Sequence, residues 1–377
     1  MELNVVMPGI KDIVLLSDVH LGVHNAGIEW VENAVDYFDN FFIPYISSFK
    51  EEPIVVIAGD FFDNRQVIDI NVLNVGMDIV EKLTKHSVVY MLIGNHDIYK
   101  ERDINVNSLR MMGLMNKVHV IDKPLCLDLG KNSRVCLMPW MITHKAETDF
   151  LTEHKDDADV FIMHSAIRGM KMDNGRPITD GLDPKCLGKK GVIYSGHIHT
   201  RQTSKNVTYI GSPFHTKRVD IGNEKGIYTL HAGNNGIKES FLPNNYSPRL
   251  VKINIEDIFE LPYGDVIPMM KNNYVDLVIP KKYKKEADRM NILDAFTDSG
   301  LRKISMVIQK EQAVLKNEEG EKEKGKAGGD TTIRGIFTSK VKEMDLDQKS
   351  VDSLNTMNER YITQAVESLN YQDNGEI

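Results

Sequence analysis

Cysteine is scarce in this 377-residue chain: Cys126, Cys136 and Cys186 are the only three, and none forms a C-x-x-C pair. That argues against a disulfide framework and against a structural zinc knot. No apolar run approaches the roughly 18 residues that a membrane-spanning helix needs. The first apolar stretch, Ile13 to Leu16, is too short for a signal-peptide core. A cytoplasmic protein without a membrane segment is therefore expected. Net positive charge is missing too: 46 Lys and Arg against 54 Asp and Glu leave −8. Any nucleic-acid binding must then come from local patches or bound cations. No internal repeat is visible. The rest of the composition is ordinary, with 41% hydrophobic and 27% charged residues, which excludes a disordered chain, a collagen-like fibre or a coiled-coil rod. The length fits about two or three domains.

The first part of the chain alternates short apolar runs with helix-period segments. Asp12–Ser17, Pro53–Ala58, Ser87–Ile93, Val160–Met163 and Gly191–Ser195 read as buried strands, rich in Val and Ile and ending in polar or glycine clusters. Ile28–Phe42 and Val67–Lys85 read as amphipathic helices, the first with a stripe of Val31, Ala34, Val35 and Phe38. This alternation predicts an α/β core with helices covering a layered sheet. Leu125–Leu129 and Arg134–Met138 read as a hairpin, and Val207–Ile210, Gly226–Leu230 and Ile237–Phe241 as further strands. Val251–Ile255, Tyr274–Ile279 and Arg302–Ile308, with a helix over Tyr283–Ser299, suggest a small α+β module. Residues 316–330 mix charges with glycine and read as a flexible linker. Two amphipathic helices follow it, and their stripes need a covering surface. Within the linker, Gly320 to Ala327 fits G-x-x-x-x-G-K, but Ala327 stands where a magnesium-binding hydroxyl belongs and no strand precedes it.

Five polar clusters sit where strands should end: Asp18-Val-His20, Gly59-Asp60-Phe-Phe-Asp63, Gly94-Asn95-His96-Asp97, His164 and Gly196-His197-Ile-His199. Loops at the carboxyl ends of strands share one crevice in open α/β sheets. Alternate residues of an extended strand point the same way, so Asp18 with His20, and His197 with His199, can each meet one metal. Gly59, Gly94 and Gly196 are expected to turn the backbone sharply beside each ligand. His20, His164, His197, His199, Asp18, Asp60 and Asn95 are too many ligands for one tetrahedral zinc. They suit two cations with a carboxylate between them, and a donor set of N and O without thiolate favours manganese, iron or zinc over calcium. Such a pair would neutralise phosphate oxygens and lower the pKa of a bridging water. His96 would sit beside the phosphate as proton donor or charge stabiliser, with Asp63 orienting it by hydrogen bonding. His24, His86, His119 and His231 are expected to be structural or surface residues.

The ordered set of motifs resembles the calcineurin-like metallophosphoesterase superfamily. Asp18-Val-His20-Leu21-Gly22 and Gly211-Ser212-Pro213 are similar to its SbcD-type branch, the nuclease subunits of double-strand-break repair complexes. Size and helical tail resemble the members from T-even-like phages. The resemblance implies a layered α/β/β/α sandwich over 1–247, a capping domain over 248–312, a flexible linker over 313–331 and a helix-loop-helix over 332–371. It implies one metal held by Asp18, His20, Asp60 and His199, and a second held by Asp60, Asn95, His164 and His197. Manganese is the expected ion of both sites, with magnesium, iron and zinc as alternatives. His96 would be the catalytic histidine and Asp63 its acidic partner. The implied activity is a DNA exonuclease of 3′-to-5′ polarity and single-strand endonuclease, active in recombination, repair and replication. The implied partners are DNA, an SMC-like (SbcC-type) ATPase bound through the tail helices, and a second copy in a homodimer. Host cytoplasm would be the location of a phage-encoded chain. The same ligands would also serve a phosphomonoesterase or a cyclic-nucleotide phosphodiesterase, and a non-catalytic DNA-end scaffold is the reading from a different class.

Overall fold

Strands whose every residue is apolar can only be stable when both of their faces are covered, and the fold supplies that cover twice. The structure, a computed structural model, describes residues 4–6, 12–101, 103–130, 133–187, 191–233, 236–260, 265, 270–280 and 302–308. In chain order it begins with β1 (Asn4–Val6), β2 (Asp12–Leu16), α1 (Ile28–Tyr37), β3 (Ile54–Ile57), α2 (Ile70–Thr84), β4 (Val88–Leu92) and β5 (Val118–Ile121). The middle contains β6 (Leu125–Asp128), β7 (Arg134–Met138), α3 (His144–His154), β8 (Val160–His164) and β9 (Val192–Gly196). Then come β10 (Gln202–Ser204), β11 (Val207–Tyr209), β12 (Gly226–Gly233) and β13 (Gly236–Pro243). The last described elements are β14 (Leu250–Asn254), α4 (Ile255–Glu260), β15 (Tyr274–Ile279) and β16 (Lys303–Ile308).

One sheet has the order β13-β12-β2-β3-β4-β5, and the other β1-β6-β7-β8-β9-β11-β10. Between them lies a core of Ile13, Leu15, Ile54 and Val56 from the first sheet against Leu137, Val160, Ile162 and Tyr194 from the second. Alternate residues of β2 and β3, Val14, Leu16, Val55 and Ile57, face the opposite way and pack with Val31, Ala34, Ile79 and Leu83 of the helices. On the far side of the second sheet, Phe161, Met163 and Ile193 pack against Leu151 of α3. The layers therefore run helix, sheet, sheet, helix, as expected.

Local signals explain much of this. Asp69 caps α2 by accepting the amides of Asn71 and Val72 at 2.8 and 3.3 Å. The apolar stripe of α1 continues into a π-helical turn over Phe38–Phe42, where Phe38 and Phe42 are both buried. Most strand ends differ from the sequence expectation by one or two residues, the usual fraying of such boundaries. Among the described residues no helix is long and apolar enough to cross a membrane.

One expectation is corrected. Cys126 and Cys136 stand directly opposite each other across the β6–β7 hairpin and are joined in a disulfide. Antiparallel register brings cross-strand neighbours together without any C-x-x-C spacing. The cysteine pattern therefore no longer argues for the cytoplasm.

β14, β15 and β16 form a third, three-stranded parallel sheet. Its Tyr274 stacks on Trp30 of α1 with ring centroids 4.8 Å apart, and its Asp276 holds Arg218 through two hydrogen bonds. The helix expected over Tyr283–Ser299, the linker and the tail helices lie outside the described residues.

Candidate metal centre

Register carries the expected ligands to one edge of the sandwich. In the parallel trio β2, β3 and β4, Leu16 lies opposite Ile57 and Ile57 opposite Met91, so Asp18, Asp60 and Asn95 leave the sheet together. In the facing sheet His164 at the end of β8 pairs with Gly196, the residue before His197. The loops after β2 and β3 are then laced side by side: Asp18 N donates to Gly59 O (3.1 Å), His20 N to Asp60 O (3.1 Å) and Leu21 N to Phe61 O (2.8 Å).

This crossing is strained. Asp18, His20, Asp60 and His197 all take left-handed backbone angles, with φ of 54°, 48°, 52° and 85°. Such conformations cost on the order of 1–3 kcal/mol each for residues other than glycine and persist where surrounding structure dictates them. Of the three expected turn glycines only Gly59 needs a positive φ, at 92°. Gly94 and Gly196 are required for space instead. A Cβ at Gly94 would lie 2.2 Å from Asp60 Oδ1, and one at Gly196 would lie 2.0 Å from Ser17 Oγ.

The side chains converge as two groups that share Asp60 as neighbour. Asp60 Oδ2 is 3.7 Å from His20 Nε2 and 3.3 Å from His164 Nε2. On one side, Asp18 Oδ1 lies 4.0 Å from His20 Nε2 and 3.9 Å from His199 Nε2. On the other, Asn95 Oδ1 is 3.0 Å from both His164 Nε2 and His197 Nδ1. The indole of Trp140 backs this second group, 5.2 Å from the His197 ring and 6.1 Å from that of His164. Asp18, His20, Asp60, Asn95, His164 and His199 are all buried.

Charge and burial pull against each other here. Burial opposes ionisation of Asp60, but His164 and His20 outweigh it and hold its carboxyl well below the usual carboxylate range. Burial disfavours a charged His164, yet Asp60 lifts it to about 9. For Asp18 burial prevails and raises the carboxyl. Burial also depresses His197, to about 3, and pushes His199 well below the ordinary imidazole range, with neighbouring cations adding to both.

Nε2 of His20 and Nδ1 of His199 lie in the interior without a hydrogen-bond partner. Nitrogens buried among carboxylates without partners are costly unless a cation accepts their lone pairs. Two of the donor trios, Asp18–His20–His199 and Asp18–Asp60–His164, bring their ligating atoms within 4.8 Å of one another. Divalent cations that favour N and O donors fit this set. Cys126, Cys136 and His154 form another such trio, but there the two sulfurs are bonded to each other.

Asp63 differs from its expected geometry. Its backbone carbonyl, not its carboxylate, accepts from His96 Nδ1 at 2.6 Å, while its carboxylate lies 3.1 Å from His20 Nδ1. Asp97 is the residue that sequence reasoning left without a role. Its Oδ2 accepts the amides of Asp60 and Gly94, both at 2.9 Å, and its Oδ1 accepts the Phe62 amide and the Ser108 hydroxyl, both at 3.3 Å. The signal was present in Gly94-Asn95-His96-Asp97, where a carboxylate follows a strand end by only a few residues. His24, His119 and His231 lie elsewhere, on Thr216 O, the Tyr90 ring and Asp12 respectively.

A family model described as calcineurin-like phosphoesterase matches residues 11–201, the segment that holds all of the expected ligand residues. The chain belongs to the calcineurin-like phosphoesterase family. Members of this family use divalent metals, in keeping with the donor set. The phosphoesterase chain is similar to exonuclease subunit 1 of Enterobacteria phage T4, 26% identical over 282 residues, which cover 69% of this chain and 78% of that protein. Among solved structures it overlaps a cold-active protein-tyrosine phosphatase of the psychrophile Shewanella sp. at 14% identity and a TM-score of 0.31. That overlap covers 64% of this chain and 83% of the other. It also overlaps a 5′-nucleotidase precursor from Thermus thermophilus at 16% identity and a TM-score of 0.31, over 63% of this chain and 56% of that one. Overlaps that loose carry no argument about substrate.

Proposed function

We propose that this phosphoesterase is a two-metal DNA nuclease, the catalytic subunit of a recombination and repair complex. The carrying observation is Asp60, whose Oδ2 faces both His20 and His164 and so lies between two groups of donors. Asp18, His20, Asp60 and His199 would hold one cation, and Asp60, Asn95, His164 and His197 the other, manganese being the ion we expect. When bound, such a pair supplies charge neutralisation at phosphate oxygens and a lowered pKa for water.

The chain's own residues do the rest. The Asp63 carbonyl can only accept, so His96 Nδ1 carries the proton of their 2.6 Å bond. His96 Nε2 is then the atom left to face a phosphate, and only in the imidazolium form, with a second proton on Nε2, would it donate to the leaving oxygen. The His96 amide is fixed by Asp60 Oδ1 at 2.8 Å, which ties the acid–base residue to the metal ligand. Asp97 holds the backbones of Asp60 and Gly94 in place. DNA as substrate is drawn from the similarity to the phage exonuclease subunit. From the same similarity and the amphipathic pattern of 332–371 we take an SMC-like, SbcC-type ATPase as partner of the tail, and a homodimer as the assembly.

The test is a nuclease assay on labelled single- and double-stranded DNA, with manganese against magnesium and with and without a candidate ATPase. Manganese-dependent release of nucleotides is expected. His96→Asn should lower the rate about 10²–10⁴-fold, the usual contribution of a placed acid–base group. Undiminished cleavage by that variant would remove His96 from the mechanism. Ready hydrolysis of small phosphate esters with DNA left intact would replace the nuclease with a phosphomonoesterase or cyclic-nucleotide phosphodiesterase.

A further inference from the structure

Behind His199 lies a charge that the reaction does not use. The side chain of Lys225 is 1% exposed and that of Asp220 0%, and they form an ion pair at 2.6 Å. All three Nζ donors of Lys225 are engaged: with Asp220 Oδ1, with Ser212 Oγ at 2.9 Å, and with the His199 carbonyl at 2.7 Å. The other oxygen of Asp220 accepts the amides of Thr216 and Lys217 at 2.9 and 2.8 Å. Burying two charges costs several kcal/mol, and such pairs are weak contributors to stability even when fully bonded. A fully satisfied pair at this position is better accounted for by what it holds.

His199 needs holding. His164 and His96 each have a ring nitrogen bonded to a carbonyl, of Ala58 at 2.7 Å and Asp63 at 2.6 Å. Such contacts fix the orientation of metal-binding imidazoles. His199 has none, its Nδ1 being buried without a partner. Its ring lies against that of His20, with centroids 4.6 Å apart, and its backbone carbonyl is gripped by Lys225 Nζ and by the Ser212 amide at 3.1 Å. The gripping segment is in turn tied down, through Thr216 O to His24 Nε2 at 2.8 Å and through Arg218 to Asp276.

We propose that Lys225, neutralised by Asp220, is the positioning residue of His199, setting the direction of that imidazole through its carbonyl and thereby the strength of one of the two cation sites. The proposal rests on the metal-centre reading above. Its test is the double variant Lys225→Met/Asp220→Asn, which removes both charges at nearly constant volume. Manganese titration of chelator-treated protein should show one binding step weakened about 10–100-fold, the usual effect of losing a group that orients a ligand, with the other step within about threefold. Hydrogen exchange at the Ser212 amide should quicken before any metal is added. Two unaltered binding steps with a protected Ser212 would overturn the proposal. Equal loss of both steps, or failure to fold, would assign the pair to the fold alone and overturn it as well. Wild-type protein that takes up no manganese would instead remove the metal-centre reading, while the Ser212 amide would still report whether Lys225 holds the carbonyl.

Discussion

His164 has an oxygen acceptor beside each ring nitrogen, Ala58 O at 2.7 Å and Asn95 Oδ1 at 3.0 Å, with Asp60 Oδ2 at 3.3 Å. That surrounding favours the imidazolium, and Asp60 overcomes the opposing effect of burial to set its pKa at about 9. A histidine whose folded pKa exceeds its ordinary 6.5 stabilises the fold fully below about 6.5 and loses that contribution as pH rises through about 9. Chelator-treated protein should therefore lose thermal stability between those two pH values, and His164→Asn should flatten the profile. A wild-type midpoint that stays level or rises over this window would contradict the assignment. At this scale the convergence of the seven expected ligand residues was legible because each is a polar residue at the end of an apolar run. Asp97 and Lys225 were not: they act on backbone atoms of residues distant in the chain, and no spacing records that.

Elements place these residues, and glycine decides whether the elements can approach. The Gly94 backbone passes so close to Asp60 that an added Cβ would sit 2.2 Å from Oδ1 and 2.4 Å from the amide. Gly94→Ala must push the two strand ends apart, at a cost of about 1–3 kcal/mol for overpacking. We expect a lower thermal midpoint together with weakened manganese binding, read by unfolding and titration of the same preparation; unchanged values in both would show that the loops are not packed as described. The central strands were legible because burial on both faces makes them continuous Val and Ile runs. The helix α3 was not, since its buried residues are Glu147, Leu151 and His154, two of them polar, so no apolar stripe marks it. β5 was missed because four residues, only two of them buried, barely establish an alternation.

For the whole molecule, a net charge of −8 leaves little general attraction for DNA. On the proposed nuclease reading, two bound divalent cations would add four positive charges beside the buried carboxylates of Asp18 and Asp60. The Cys126–Cys136 pairing shows the limit of composition at this scale, because a disulfide depends on which strands become neighbours and not on how many cysteines there are. Asp60 Oδ2 faces both groups of donors, and on the two-metal reading its carboxylate would serve both cations. Manganese titration of chelator-treated protein measures this directly, by calorimetry with metal analysis. Wild-type protein should bind two manganese ions per chain and Asp60→Ala at most one; a single site in the wild type, or two undiminished sites in Asp60→Ala, would contradict the two-metal centre.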